Sequence, residues 1–139
     1  SGCKNIVAVK HATGRIDDAA ELLLTCEIGV LSGDDPLTFP LMALGAVGVI
    51  SVLSNLMPRA VMRLTQAVLA GDWSAARQAH DRLFRLGRAL LTADTNPVPI
   101  KTALAVRGLC AEEFRLPLCP MEPAKRSRLI ALVNEAEIE

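Results

Sequence analysis

Three short apolar runs, at residues 5–10, 30–32 and 48–52, alternate with two stretches of helical periodicity, and no two-residue hairpin signal joins any pair of them. That alternation is the strongest constraint on the fold. Strands separated by helices pair in parallel through crossover connections. Residues 15–25 read as the first crossover helix, with Leu22 and Leu23 inward. Residues 36–44 read as the second, closed by Gly45 ahead of the β-branched run Gly48-Val49-Ile50-Ser51-Val52. The first half is expected to be β/α.

From Pro58 onward the pattern is helical throughout. Met62, Leu64, Val68 and Leu69 fall broadly on one side of a helix that runs to Gly71. Asp72 is placed to cap a longer helix bearing Ala76, His80, Leu83, Phe84, Gly87, Leu90 and Leu91, and Asn96-Pro97 stops it. A short helix over 101–107 should end at Gly108. Pro117 and Pro120 hold an extended link, and a last helix from about Pro123 should bury Leu129, Ile130 and Val133.

Within the first run, side chains alternate, so Ile6, Ala8 and Lys10 share one face of the strand and Val7 and Val9 the other. A lysine at the exit of an apolar strand either reaches water or is desolvated beside apolar walls. Desolvation favours the neutral, nucleophilic amine, the form that condenses with a carbonyl as a Schiff base. The alternative is a strand-end lysine whose head stays wet.

Composition excludes several other chemistries. With 15 basic and 15 acidic residues the formal charge is zero, so no net field draws the chain to nucleic acid or an anionic membrane. The arginines between 77 and 88 are spaced like the solvated side of a helix. The apolar passage 41–53 is broken by Gly45, Gly48 and Ser51 and falls short of the ~20 residues a membrane span needs. Cys3, Cys26, Cys110 and Cys119 form no CxxC pair, and His11 and His80 have no metal-ligand spacing. No metal or cofactor is expected. Reduced thiols and a cytoplasmic location are the expectation. At 139 residues and 51% hydrophobic content, the chain can build a real core.

The Lys10-His11-Ala12-Thr13-Gly14 exit, Leu31-Ser32-Gly33-Asp34-Asp35, Gly48-Val49-Ile50-Ser51-Val52 and Asn96-Pro97-Val98-Pro99-Ile100-Lys101 stand in this order. Together they resemble the C-terminal half of the dihydrodipicolinate synthases, in the Schiff-base aldolase and lyase superfamily that also holds N-acetylneuraminate lyase. The likeness runs through to Arg115-Leu116-Pro117-Leu118. The lysine before a Thr-Gly turn is shared by the superfamily, whereas Ser-Gly-Asp-Asp and Asn-Pro-Val-Pro-Ile-Lys resemble the synthase branch. One departure is His11, where the synthases often have Glu. By parity it should point away from the Lys10 face, and it reads as a neutral or surface substitution.

The resemblance implies a partial (β/α) barrel, its last three strands over residues 1–70, followed by a helical region over 71–139. A complete barrel has eight strands. The resemblance puts Lys10 on the sixth, so a fragment lacking the strands ahead of Ser1 is expected. It further implies that Lys10 forms the imine with pyruvate, that the Ile50 carbonyl lies beside the bound pyruvate, and that Gly33 floors the site of aspartate semialdehyde. Family members are commonly tetramers, with Ile16, Asp17 and Leu44 near the contact between dimers, so a homo-oligomer or association with an N-terminal half is expected. The family's proton relay uses tyrosines, and this chain has none. Two alternatives are another pyruvate-dependent aldolase, such as a neuraminate or keto-deoxy-sugar lyase, and a non-catalytic half-barrel serving as an interaction module.

Overall fold

A computed structural model describes residues 2–136. Strand β1 (Ala8–His11), helix α1 (Ile16–Thr25), strand β2 (Gly29–Ser32), helix α2 (Thr38–Ala43) and strand β3 (Gly48–Val49) form the first half. Helices α3 (Pro58–Leu69), α4 (Trp73–Thr92), α5 (Val98–Val106) and α6 (Pro123–Glu135) follow. The sheet is three-stranded and parallel in the order β1-β2-β3, with Lys10 opposite Leu31 and Leu31 opposite Gly48. The α/β expectation therefore holds. None of the described helices is long and apolar enough to cross a membrane.

Both outer strands are shorter than the apolar runs that encode them. β1 begins at Ala8 rather than Asn5 because β2 has no partner to offer earlier: Gly29 N–H bonds Val7 O at 3.0 Å, and the residues before it are still leaving α1. β3 ends at Val49 because residues 51–53 turn out of the ladder toward a side-chain acceptor, described below.

Most helix ends follow the sequence, but α5 starts at Val98, ahead of the expected 101, because Pro99 fits its first turn. α2, α3 and α5 each close on a left-handed glycine, Gly45 (φ +117°), Gly71 (φ +72°) and Gly108 (φ +70°). In each case the next residue's N–H reaches back into the last turn, as from Ala46 to Leu41 O at 3.0 Å, so otherwise orphaned carbonyls are satisfied. The Asp72 side chain accepts from Ala75 N at 2.9 Å and caps α4, a contact typically worth ~1 kcal/mol.

The core runs from the sheet into the helices through Val30, Leu41, Leu53, Leu90, Leu129 and Val133, all essentially fully buried. In α3 the inward stripe is Val61, Leu64 and Val68, spaced three and four apart. Met62 and Leu69, expected inside, are more than half exposed because they fall off that stripe. α4 buries Ala76, Leu83, Leu86, Gly87 and Leu90 and turns Arg77, Arg82, Arg85 and Arg88 to solvent, as the arginine spacing predicts. Gly87 is inside because a Cβ there would stand 3.3 Å from the Asp35 Cβ, so its absence lets α4 press on the turn after β2. His80 is stacked in an aromatic row between Phe39 and Phe84, both centroids 5.5 Å away, and burial pushes its pKa down against the pull of Asp81.

The Asn-Pro-Val-Pro-Ile-Lys segment opens α5, burying Val98, Pro99 and Ile100, while Lys101 donates to the Glu113 carbonyl and lies over the Phe114 ring. Beside it Glu112 accepts from the buried Thr102 hydroxyl at 2.9 Å and takes both arms of Arg126 from α6, at 3.1 and 2.7 Å. The Arg126 guanidinium holds the Glu112 carboxyl below its ordinary value of 4.5. A depressed carboxyl adds stability that is complete above its ordinary value and is lost as pH falls through the folded one. The difference in urea midpoint between the parent and Glu112→Gln should therefore be largest near about pH 7 and shrink toward about pH 3. A difference that stays constant across that range would show that the Glu112 charge does not stabilise the α5–α6 contact.

Candidate functional site

The three strands run in parallel, so their C-terminal ends emerge side by side. Beyond the last paired residues the ladder continues by two rungs: Gly33 N–H donates to His11 O at 2.7 Å and Ile50 N–H to Ser32 O at 2.8 Å. This brings Lys10, Gly33 and Ile50 to neighbouring positions at one edge of the sheet.

Alternation separates the faces as parity predicts. Ala8 and Lys10 are exposed on one side, and Val9 and His11 turn to the other. Lys10 and Gly33 are in direct contact, since a Cβ built on Gly33 would fall 2.7 Å from Lys10 Cε. Ile50 is not a core residue but 45% exposed. Nor is Lys10 desolvated: these strands supply its stem with neighbours and leave its head open. Ile6, Val7 and Val47 are likewise half or more exposed. A cavity of about 600 Å³ lies elsewhere, between α3, α4 and the end of α6, lined by Met57, Arg63, Arg82 and Leu83, and none of Lys10, Gly33 or Ile50 lines it.

His11 departs from its expected surface position. It is 6% exposed, because the face away from Lys10 is the one the helices cover. Its Nε2 lies 3.1 Å from Thr13 Oγ1, which also accepts from Arg15 N at 3.2 Å, linking the strand exit to the start of α1. Its buried Nδ1 has no hydrogen-bond partner among the described residues.

The residue that sequence reasoning passed over is Asp35. Its carboxylate, 8% exposed, accepts from the Ser51 hydroxyl, from Val52 N at 2.9 Å and from Leu53 N at 3.0 Å. The exit of β2 thereby grips the chain one residue past Ile50. The adjacent turn is held separately, by the Ser32 hydroxyl donating to Asp34 O at 2.9 Å. The only signal in the sequence was the doubled aspartate before Pro36. Replacing a buried acceptor strands its donors, at a cost of ~1–3 kcal/mol for each group left unsatisfied. Asp35→Ala should lose ~3 kcal/mol or more of unfolding free energy and Asp35→Asn clearly less, since one oxygen remains. Urea titration checks this, and hydrogen exchange should show Val52 and Leu53 amides losing protection first. Near-parental stability of Asp35→Ala would remove Asp35 from this role.

The sequence profile of the dihydrodipicolinate synthetase family matches residues 1–136. The 4-hydroxy-tetrahydrodipicolinate synthase of Geobacter metallireducens is 51% identical over 137 residues, which are 97% of this chain and 47% of that protein. The solved dihydrodipicolinate synthase of Aquifex aeolicus superposes with a TM-score of 0.91 at 46% identity, covering 96% of this chain and 46% of that one. The chloride-inhibited Acinetobacter baumannii dihydrodipicolinate synthase, solved in complex with pyruvate, gives 0.89 at 35% identity, covering 97% and 47%. The chain thus spans about half the length of the curated relatives it matches. A strand-exit lysine on a parallel sheet, and a profile match along nearly its whole length, place this chain in the dihydrodipicolinate synthetase family.

Proposed function

We propose that this chain contributes the imine-forming lysine of a 4-hydroxy-tetrahydrodipicolinate synthase, with pyruvate and aspartate semialdehyde as substrates. The observation that carries the reading is Lys10 at the exit of β1, on the exposed face, in contact with Gly33 and at the same sheet edge as Ile50. In this reading residues 1–70 are the last three strands of a (β/α) barrel, where catalytic groups stand at the C-terminal strand ends, and residues 71–139 are a helical region packed beside it. The missing wall around Lys10 would come from the other strands of the barrel. Exposed Ile6 and Ile50 are apolar surface that they would cover.

The chemistry assigned to Lys10 is attack of its neutral amine on the ketone carbon of pyruvate, followed by loss of water to give the imine. Loss of a proton from the methyl carbon then gives the enamine, whose carbon adds to the aldehyde of aspartate semialdehyde. The Ile50 carbonyl is assigned to the pyruvate pocket and Gly33 to the floor of the second site.

Borohydride reduction in the presence of pyruvate, followed by peptide mapping, should place the adduct on Lys10. Adding the separately expressed N-terminal half of a relative should raise the yield. Lys10→Arg should abolish trapping, because a guanidinium stays protonated. An adduct on another lysine, with Lys10 unmodified, would overturn the assignment.

Acid–base transfer by a positioned side chain is worth roughly 10²–10⁴ in rate, and the chain holds no tyrosine for a relay. Turnover by the 139-residue chain alone should accordingly lie at least ~10²-fold below that of the complemented protein. A coupled assay with both substrates measures this, with Lys10→Ala as the contamination control. Comparable turnover from the chain alone, lost in the control, would show that it holds its own proton relay.

A further inference from the structure

Gly33 is buried, while Lys10 in the neighbouring strand is exposed. Its φ lies outside the left-handed region, so the backbone conformation does not call for glycine here. Space does. A Cβ at position 33 would stand 2.5 Å from the Ala12 Cβ, 2.7 Å from Lys10 Cε and 3.0 Å from the His11 carbonyl oxygen. The first two separations are closer than real Cβ contacts come. The last methylene of the lysine stem therefore passes over the spot that a side chain at 33 would fill, and Ala12 closes the far side.

We infer that Gly33 is a positioning residue for the Lys10 amine: by having no Cβ it leaves open the track along which the lysine stem reaches the exposed face. This goes beyond its assignment to a substrate floor and rests on the reading of Lys10 as the imine-forming residue. The Gly33 N–H bond to His11 O at 2.7 Å fixes the backbone of the two strands against each other, so a methyl group at 33 could not withdraw. The flexible stem would yield instead, by about 1 Å at Cε, and a misplacement of that size can cost ~10²-fold in a reaction that depends on alignment. Ala12 is the second obstacle, and its Cβ moves only with the backbone.

That difference supplies the test. In Gly33→Ala the new methyl meets both Ala12 and Lys10. In the double variant Gly33→Ala/Ala12→Gly the closest fixed obstacle is gone, the His11 carbonyl oxygen stays at the edge of contact, and the lysine stem is what must be displaced. Circular dichroism and thermal midpoints establish that the double variant is folded. Pyruvate–borohydride trapping at Lys10 is then compared across the parent, Ala12→Gly and the double variant. In parallel, an NOE is sought between the Lys10 ε-methylene and the Gly33 α-protons. Ala12→Gly should trap as the parent does, whereas the folded double variant should trap about 10²-fold more slowly, although a small acylating reagent still labels its Lys10. The NOE should be present in the parent. Parental trapping by the folded double variant, or absence of the NOE, would overturn the inference. If no chain forms a pyruvate adduct, the imine reading has failed, and the track is judged on the NOE alone: present in the parent it stands, absent it falls.

Discussion

A single carboxylate holds the candidate edge of this sheet in place. The strands are only four, four and two residues long, and β3 in particular has too few ladder bonds to define where its chain goes next. Asp35 supplies what the ladder does not. By accepting from the Ser51 hydroxyl and from two consecutive backbone N–H groups, it ties the exit of β2 to the exit of β3 across 16 to 18 residues of sequence. Hydrogen bonds to an ionised acceptor are stronger than neutral ones, and burial sharpens the penalty for losing them. α4 completes the arrangement, since the missing side chain at Gly87 lets the helix close over Asp35 and Leu53.

The architecture was legible in the sequence wherever local periodicity and terminators decide it. Glycines at 45, 71 and 108, the Asp72 cap and the alternation of the first half all act within a few residues. Errors arose where a distant partner intervenes. Residues 51 and 52 have good strand character, and only the Asp35 carboxylate, remote in sequence, draws them off into a turn. For His11, parity fixed the side of the strand correctly but carried no information on which side the helices cover. In α3 the apolar side is wider than the buried stripe, so Met62 and Leu69 could not be told from Val61 without knowing the neighbour.

The candidate site was legible in a different way. Lys10 and Gly33 were marked by motif, yet their contact depends on strand register and could not be read from spacing. The apolar run left open whether the lysine is desolvated or wet, and a sheet covered by helices on one face only leaves the other face wet. Three strands carry Lys10 and fix its neighbours without enclosing it. Enclosure and presentation are therefore separable in this molecule, with the covered face contributing rigidity and the open face presenting the strand-exit lysine.

The aromatic row on α2 and α4 gives the molecule an unusual optical property. Trp73 is the chain's sole tryptophan, no tyrosine accompanies it, and its ring lies 6.4 Å from Phe39. Intrinsic fluorescence excited at long wavelength thus originates at one point, the seam between the sheet's second crossover helix and the helical region. Its emission follows the docking of α4 on α2, so the chain carries a built-in reporter on the integrity of its scaffold, placed on a different element from the strand-exit lysine.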